Sequence, residues 1–370
     1  MRHLLACLIV TIALLPGGEA KPDRHAEHAR FAPPVKAKLL FFSLAGGAGD
    51  QWFNAVQVKG RKAVGMMEKG PFGLVVTVKD DDTVSARVLG DKSATTKPDT
   101  DLPNGGKTGP YTWGYKQVAP LLQQPFLTGG GLDLWGCTLE EAKTAKVRYA
   151  PAMADSRIKG LWMTPKGTLL ATSFTDGGNT ILRADPRDRN VTMETGFDAG
   201  GGGGGRSSWL IELSPKNGAP LGVLACRGTV VCHAYDAWNR LIVGGGAVNR
   251  TGADDVTGNF DGAGLLMADF DWKSALFRAH LGLPKDAPGK AGGMTWAIDV
   301  DNDSGLMAAV GWMEGTPRGV NEIQAKSGGG KDAFLAVFRL WTEDEAKAAK
   351  QAEIDSKKPP AQVQAKPAGD

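Results

Sequence analysis

The sequence is poor in cysteine, tyrosine and histidine, with 4, 4 and 5 of them in 370 residues. It contains no CxxC, CxxCH or HExxH, so nothing in it supports a structural zinc site, a c-type haem or the common zinc-protease site. Neither sign of charge dominates. The 43 basic and 40 acidic residues leave a net charge of +3 with no basic stripe, which removes the electrostatic footprint of nucleic-acid or anionic-membrane binding. Long apolar runs are also missing, apart from Leu4 to Leu15. That run follows Met1-Arg2-His3, precedes Pro16-Gly17-Gly18-Glu19-Ala20, and is too short to span a bilayer. It reads as a signal peptide over residues 1–20, so the expectation is a secreted or periplasmic protein with no membrane-spanning segment.

Cys137, Cys226 and Cys232 would remain after cleavage. Cys137 lies in an expected strand. Cys226 and Cys232 flank a short connection, and in an exported protein they either pair or stay as two reduced, half-buried thiols.

What the chain has in excess is glycine, 51 residues without a collagen-like period. The glycines sit in turns between short apolar runs. One pattern, Gly328-Gly329-Gly330-Lys331-Asp332-Ala333-Phe334, recurs as Gly129-Gly130-Gly131-Leu132-Asp133-Leu134-Trp135 and more loosely as Gly203-Gly204-Gly205-Arg206-Ser207-Ser208-Trp209. Glycines followed by an aromatic and an alternating run describe a turn feeding a strand, and wide repetition describes a repeat protein. From Leu39 the chain falls into groups of short strands. First strands are expected at 53–58, 115–119, 158–163, 230–235 and 295–300. Second strands fall at 63–67, 125–128, 168–173, 241–243 and 306–311, and third strands at 73–78, 132–139, 209–213, 265–270 and 333–340. Fourth strands are expected at 84–89, 145–149, 220–225 and 275–280. The last group lacks its fourth strand, and the orphan Leu39–Leu44 would complete it. That arithmetic favours an all-β fold, a β-propeller of five four-stranded blades over residues 39–341, closed by an N-terminal strand in the C-terminal blade.

The segments Phe41-Phe42-Ser43-Leu44-Ala45-Gly46-Gly47-Ala48-Gly49-Asp50, Gly292-Gly293-Met294-Thr295-Trp296-Ala297-Ile298-Asp299-Val300-Asp301 and Gly-Lys-Asp-Ala333-Phe334-Leu335 resemble the bacterial β-propeller repeat of the SBBP type. The resemblance covers both ends of the chain well and the middle loosely. It implies the propeller fold and says nothing of an activity.

Connections between first and second strands are short, while most on the opposite face are long, which gathers candidate binding loops on one face. Candidate contacts there are Trp52, Trp113, Tyr115, His233, Trp296 and Trp312, with Asn54, Lys159 and Arg318 as polar partners. Such rings suit flat apolar faces such as sugars, although strand tryptophans also pack between blades and His233 equally fits a hydrogen-bonded core position. The expected function is non-catalytic binding or scaffolding of a glycan, peptide or protein by a monomer with no cofactor. The alternative is a glycosidase, lyase or lactonase using rim carboxylates or a metal in a central throat. The expected loop-side starts of the inner strands, Phe53, Tyr115, Ile158, Val230 and Thr295, include no acid, although Asp50, Glu68, Asp155, Asp176 and Glu314 lie near that rim.

Asn104-Gly105-Gly106-Lys107-Thr108 lacks the first glycine of a phosphate loop, and Gly200–Gly205 has no βαβ unit around it. Asp299-x-Asp301-x-Asp303 starts like a calcium loop, but Ser304 and Val310 replace its glycine and glutamate, so it reads as a hairpin. Residues 21–38 read as a flexible lead-in. At the other end, Thr342-Glu343-Asp344-Glu345 has capping-box spacing and opens a short charged helix. Its few apolar residues give little to dock it with, and a disordered tail should follow to residue 370.

Overall fold

The computed structural model describes residues 28–47, 50–67, 72–90, 116–118, 121–128, 131–137, 152–154, 156–175, 207–213, 220–250, 262–272, 274–282, 292–317, 319–324 and 326–358. Strand follows strand, all antiparallel, in four sheets. The first comprises β2 (Ala55–Lys59), β3 (Lys62–Met66), β4 (Gly73–Val78) and β5 (Val84–Leu89), in sequence order. The second comprises β6 (Lys116–Val118), β7 (Leu121–Thr128), β8 (Gly131–Cys137) and β9 (Ala152–Ala154). The expected strand at 145–149 lies outside the described residues, and β8 pairs with β9 instead. The last sheet has the order β1 (Lys38–Ala45), β19 (Lys331–Arg339), β18 (Leu306–Glu314), β17 (Gly293–Asp301).

Between them lies a departure from the expected groups of four. β10 (Ser156–Met163), β11 (Leu169–Thr175), β12 (Ser207–Leu213), β13 (Pro220–Tyr235), β14 (Leu241–Arg250), β15 (Ala263–Ala268) and β16 (Ala275–Leu281) form one seven-stranded sheet. The cause is β13, a single strand of 16 residues across the expected border between 220–225 and 230–235. Within it only Gly228, at φ +80°, has a left-handed backbone. Register shifts at Arg227/Thr229 and Val230/Cys232 let it bend without leaving either ladder. Across from it, Gly244 and Gly245 allow the close approach. A Cβ on Gly245 would collide with the Thr229 carbonyl, and one on Gly244 would come within 2.8 Å of Thr295 and Ile298 side-chain carbons. The same arrangement answers the cysteine question. Cys226 and Cys232 lie six positions apart on this one strand, at about 3.3 Å per residue, too far apart to bridge to each other.

The β1–β19 sheet is the centre of the core. Met307, Ala309, Met313, Phe334, Ala336 and Phe338 pack on one side with Ile242, Leu265 and Ile298. Leu306, Ala308, Val310, Ala333, Leu335 and Val337 pack on the other with Phe53, Val56, Leu74 and Val76 of the first sheet. A sheet covered on both faces needs apolar residues at every position, which is why Ala333 to Phe338 shows no polar alternation. The outer edge of β1 is covered in turn: Phe42 and Val320 exchange backbone hydrogen bonds of 2.8 and 2.9 Å, and Asn321 Nδ2 donates to the Leu40 carbonyl at 2.7 Å.

The hairpin turns at one end of these sheets share a chemistry. In Thr164–Thr168, Asp236–Arg240 and Lys79–Thr83, the fourth residue donates its N–H to the first carbonyl and adopts a left-handed backbone, as Gly167, Asn239 and Asp82. Asp236 Oδ1 also accepts the Trp238 and Arg240 N–H groups. Asp301 does the same for Asp303 and Ser304, so the calcium-like triplet is a hairpin turn. Its Oδ2 accepts the Gly60 N–H, while Asp299 Oδ2 accepts that of Val58, and together they fasten β17 to β2. Burial favours the neutral form of both carboxyls. It leaves Asp299 above its ordinary value, whereas the backbone N–H donors to Asp301 outweigh it and hold that group low.

Helix α1 (Glu343–Ser356) begins at the expected capping box, with Thr342 and Glu345 exchanging side-chain-to-backbone bonds. Contrary to the expectation drawn from its composition, it is docked. Ala346 and Ala349 are buried in the core cluster that contains Trp341, because small side chains let the helix backbone lie close. Ion pairs of Lys36 with Glu345 and Arg61 with Glu343, and a 2.7 Å contact of His28 Nδ1 with the Glu353 carboxylate, surround the contact. The lead-in residues from 28 on are held as well: the Lys36 N–H donates to the Leu340 carbonyl, and Arg240 Nη1 donates to that of Pro33. No helix among the described residues is long and apolar enough to cross a membrane.

Candidate functional site

The two ends of the sheets differ. At the capped end, the short turns meet α1 and residues 28–37. There Trp238 and Trp341 pack edge to face, 5.5 Å between centroids, with the Arg240 guanidinium 5.7 and 5.1 Å from the two rings. The open end carries the longer connections between strands, 46–54, 67–72 and 315–330 among them.

Two large rings stand out in solvent at the open end. Trp52 is 44% exposed and Trp296 38%. The segment bearing Trp52 is tied across the tops of two strands: the Gln51 N–H donates to the Lys331 carbonyl at 2.6 Å, and the Phe53 N–H to that of Gly311 at 3.1 Å. With Phe53 fully buried, the neighbouring Trp52 is left on the outside. Trp296 projects because of a bulge, the register between β17 and β18 slipping from Thr295 to Ala297. Gly311, which anchors Phe53, is the register partner of Thr295, so the segment bearing Trp52 meets the sheet at the level from which Trp296 projects.

Trp312 is one residue further along and half-buried, and Lys331 Nζ lies 4.4 Å from its ring centre. That cation covers part of the surface a ligand would use. Glu314 is beside it, for a Cβ placed on Gly292 would sit 2.7 Å from Glu314 Oε2 and 3.4 Å from the Trp312 ring. Asn54 is half-buried at the start of the β2 segment, its N–H donating to the Met66 carbonyl. A mostly apolar depression of about 330 Å³, lined by Leu44, Ala45, Phe72, Val88, Ile323 and Gln324, opens at the same end.

Of the other candidate residues, only His233 has a described side chain, and it lies within a strand. His233 is half-buried in mid-strand and packs edge to face against Tyr235 at 6.0 Å. Lys159 lies within β10. Trp113, Tyr115 and Arg318 lie outside the described residues, as do the rim carboxylates Glu68, Asp155 and Asp176. Asp50 Oδ1 accepts the Lys331 N–H at 3.0 Å. Phe53, Val230 and Thr295, expected at the starts of inner strands, are buried. Burial pushes the Cys232 thiol up, away from the thiolate that a nucleophile needs. Among the described residues no three His, Cys, Asp or Glu side chains converge on a metal position.

No protein-family profile and no curated protein sequence matches the chain. Among solved structures it is similar to the WD40 domain of coronin from Toxoplasma gondii, at 10% identity, over 85% of this chain and 90% of that one, with a TM-score of 0.25.

The residues missed by sequence reading are Lys331, Gln51 and Asp332. The motif Gly-Gly-Gly-Lys-Asp was visible, but as a turn signal. That its lysine would lie against Trp312 and its aspartate against Gly46 depends on strands β1 and β18, which are remote in sequence.

Proposed function

We propose that the chain is a secreted or periplasmic five-bladed β-propeller, closed by β1, that binds a glycan, peptide or protein at its open end without catalysis. Consecutive antiparallel strands and the placing of β1 beside β19 support the propeller. The binding reading is carried by one observation. The exposed rings Trp52 and Trp296 belong to the end bearing the long connections, while α1 and residues 28–37 cover the other end. Exposed rings held by a rigid backbone lose little entropy on contact and offer flat faces to sugars or apolar side chains.

A glycan array is the first screen, followed by titration of tryptophan fluorescence. Trp52→Ala and Trp296→Ala should each weaken binding about thirtyfold, since a good contact ring is worth around 2 kcal/mol. Neither should lower the melting temperature appreciably. Ile354→Ala on α1, where the side chain is 55% exposed, should change nothing. Trp238 is no control despite its place at the capped end, because it is buried in the core. Unchanged affinity in both open-end variants would remove the site from this face.

A further inference from the structure

The motif that opens β19 ends on Asp332, whose residue surface is 0% exposed. Its Oδ2 accepts the Ser327 hydroxyl at 2.5 Å and the Gly328 N–H at 2.9 Å. Its Oδ1 is buried and has no hydrogen-bond partner. The adjacent cation, Lys331 Nζ, is directed to the Trp312 ring instead. A carboxylate oxygen so buried and without a donor costs stability unless a ligand reaches it.

Other oxygens lie nearby, among them Gln51 Oε1, which accepts the Gly47 N–H at 2.6 Å. Gly46 passes directly over the carboxylate: a Cβ there would collide with Asp332 Oδ1 and lie 2.9 Å from Gln51 Oε1. Both oxygens thus fall within the roughly 4.8 Å that one Ca²⁺ with bonds of about 2.4 Å can bridge. The Gly47 carbonyl oxygen is close by, 2.6 Å from where a Cβ on Gly328 would sit. Only glycines leave room for this crossing of two loops.

We propose that the crossing of Gly46, Gly47 and Gln51 with residues 328–332 binds a Ca²⁺ ion, with Asp332 Oδ1 as the charged ligand and Gln51 Oε1 as a neutral one. One carboxylate among neutral oxygens sets the affinity in the range of weak extracellular sites, about 10⁻⁴–10⁻³ M. The small, rigidly octahedral Mg²⁺ is a poor fit for amide and loop oxygens. The ion also fixes the neighbours of its ligands: Gln51 precedes Trp52, and Lys331 on Trp312 precedes Asp332. The inference stands on the buried carboxylate and does not require the open-end ligand.

The test is thermal unfolding of the full chain, chelated and then titrated with CaCl₂ against choline chloride of equal ionic strength. At ten times the dissociation constant, Ca²⁺ should raise the melting temperature by roughly 3 °C or more. Asp332→Asn should lose that response while melting, in EDTA, no lower than the parent. Gln51→Glu supplies a second test. Two facing carboxylates should lower its stability in EDTA, and about tenfold less Ca²⁺ should restore it. The proposal is overturned if Ca²⁺ has no effect beyond choline, if NaCl produces the same rise, or if Asp332→Asn keeps it. Unaltered Ca²⁺ dependence in Gln51→Glu would overturn it equally, even if Asp332→Asn does not fold.

Discussion

Asp236 shows how much one side chain carries at the capped end. Its carboxylate closes its own turn through two N–H groups and meets Arg240 Nε at 2.6 Å, with Asp236 and Arg240 only 3% and 5% exposed. Arg240 in turn reaches Pro33 and flanks the Trp238–Trp341 pair. Asp236→Ala should therefore cost about 3–5 kcal/mol in chemical denaturation, since it leaves a buried guanidinium without its counter-charge. A loss under 1 kcal/mol would mean that water already reaches Arg240. Trp272 is a counterpart where a local rule is broken: it holds a left-handed backbone at φ +61°, the conformation taken by Gly167 and Asn239 in related turns. Its ring is buried against Leu224 and Leu266 in the core of the seven-stranded sheet, and that burial offsets the backbone cost.

Helix α1 is attached by a small apolar contact ringed by charged pairs. Two buried alanines contribute little area, and exposed pairs such as Lys36–Glu345 add about 0–1 kcal/mol each and are screened by salt. What α1 covers matters more than what it brings, because Trp341 lies beneath it and is almost fully buried. A chain ending at Lys358 should melt like the full chain, whereas one ending at Thr342 should melt several degrees lower. Thr342→Ala should remove about 1 kcal/mol through loss of the capping box alone. Equal melting temperatures for the two truncations would show that α1 merely rests on the sheets. The strand borders of this chain were readable where turn chemistry was local: β4 and β5 begin and end where alternation and Asp-rich turns placed them. The border inside β13 was not, because Arg227-Gly228-Thr229 resembles a turn and becomes a bulged strand only when β14 brings Gly244–Gly245 beside it.

At the scale of the whole molecule, the sheet of β1, β19, β18 and β17 lies between two others and has apolar partners on both faces. Its amides should be the last to open. Hydrogen exchange followed by mass spectrometry should show peptides from 306–314 and 331–339 exchanging slowest, and those from 84–89 and 343–356 much faster. Uniform exchange across all of these would contradict a centrally buried sheet.

By itself, the sequence determined the run of short strands, the glycine turns between them, the pairing of residues 39–44 with the C-terminal strands, and the capping box of α1. Each follows from periodicity or from side-chain-to-backbone bonds spanning a few residues. Tertiary structure alone decided that β13 would join two groups of strands into one sheet, that α1 and residues 28–37 would cover the short-turn end, and that Lys331 would lie against Trp312. It also decided that Asp332 would be buried beneath Gly46. The physical reason is the same each time: these outcomes depend on which atoms remote strands bring into contact, and a turn motif carries no record of the charge or ring that will face it across the fold.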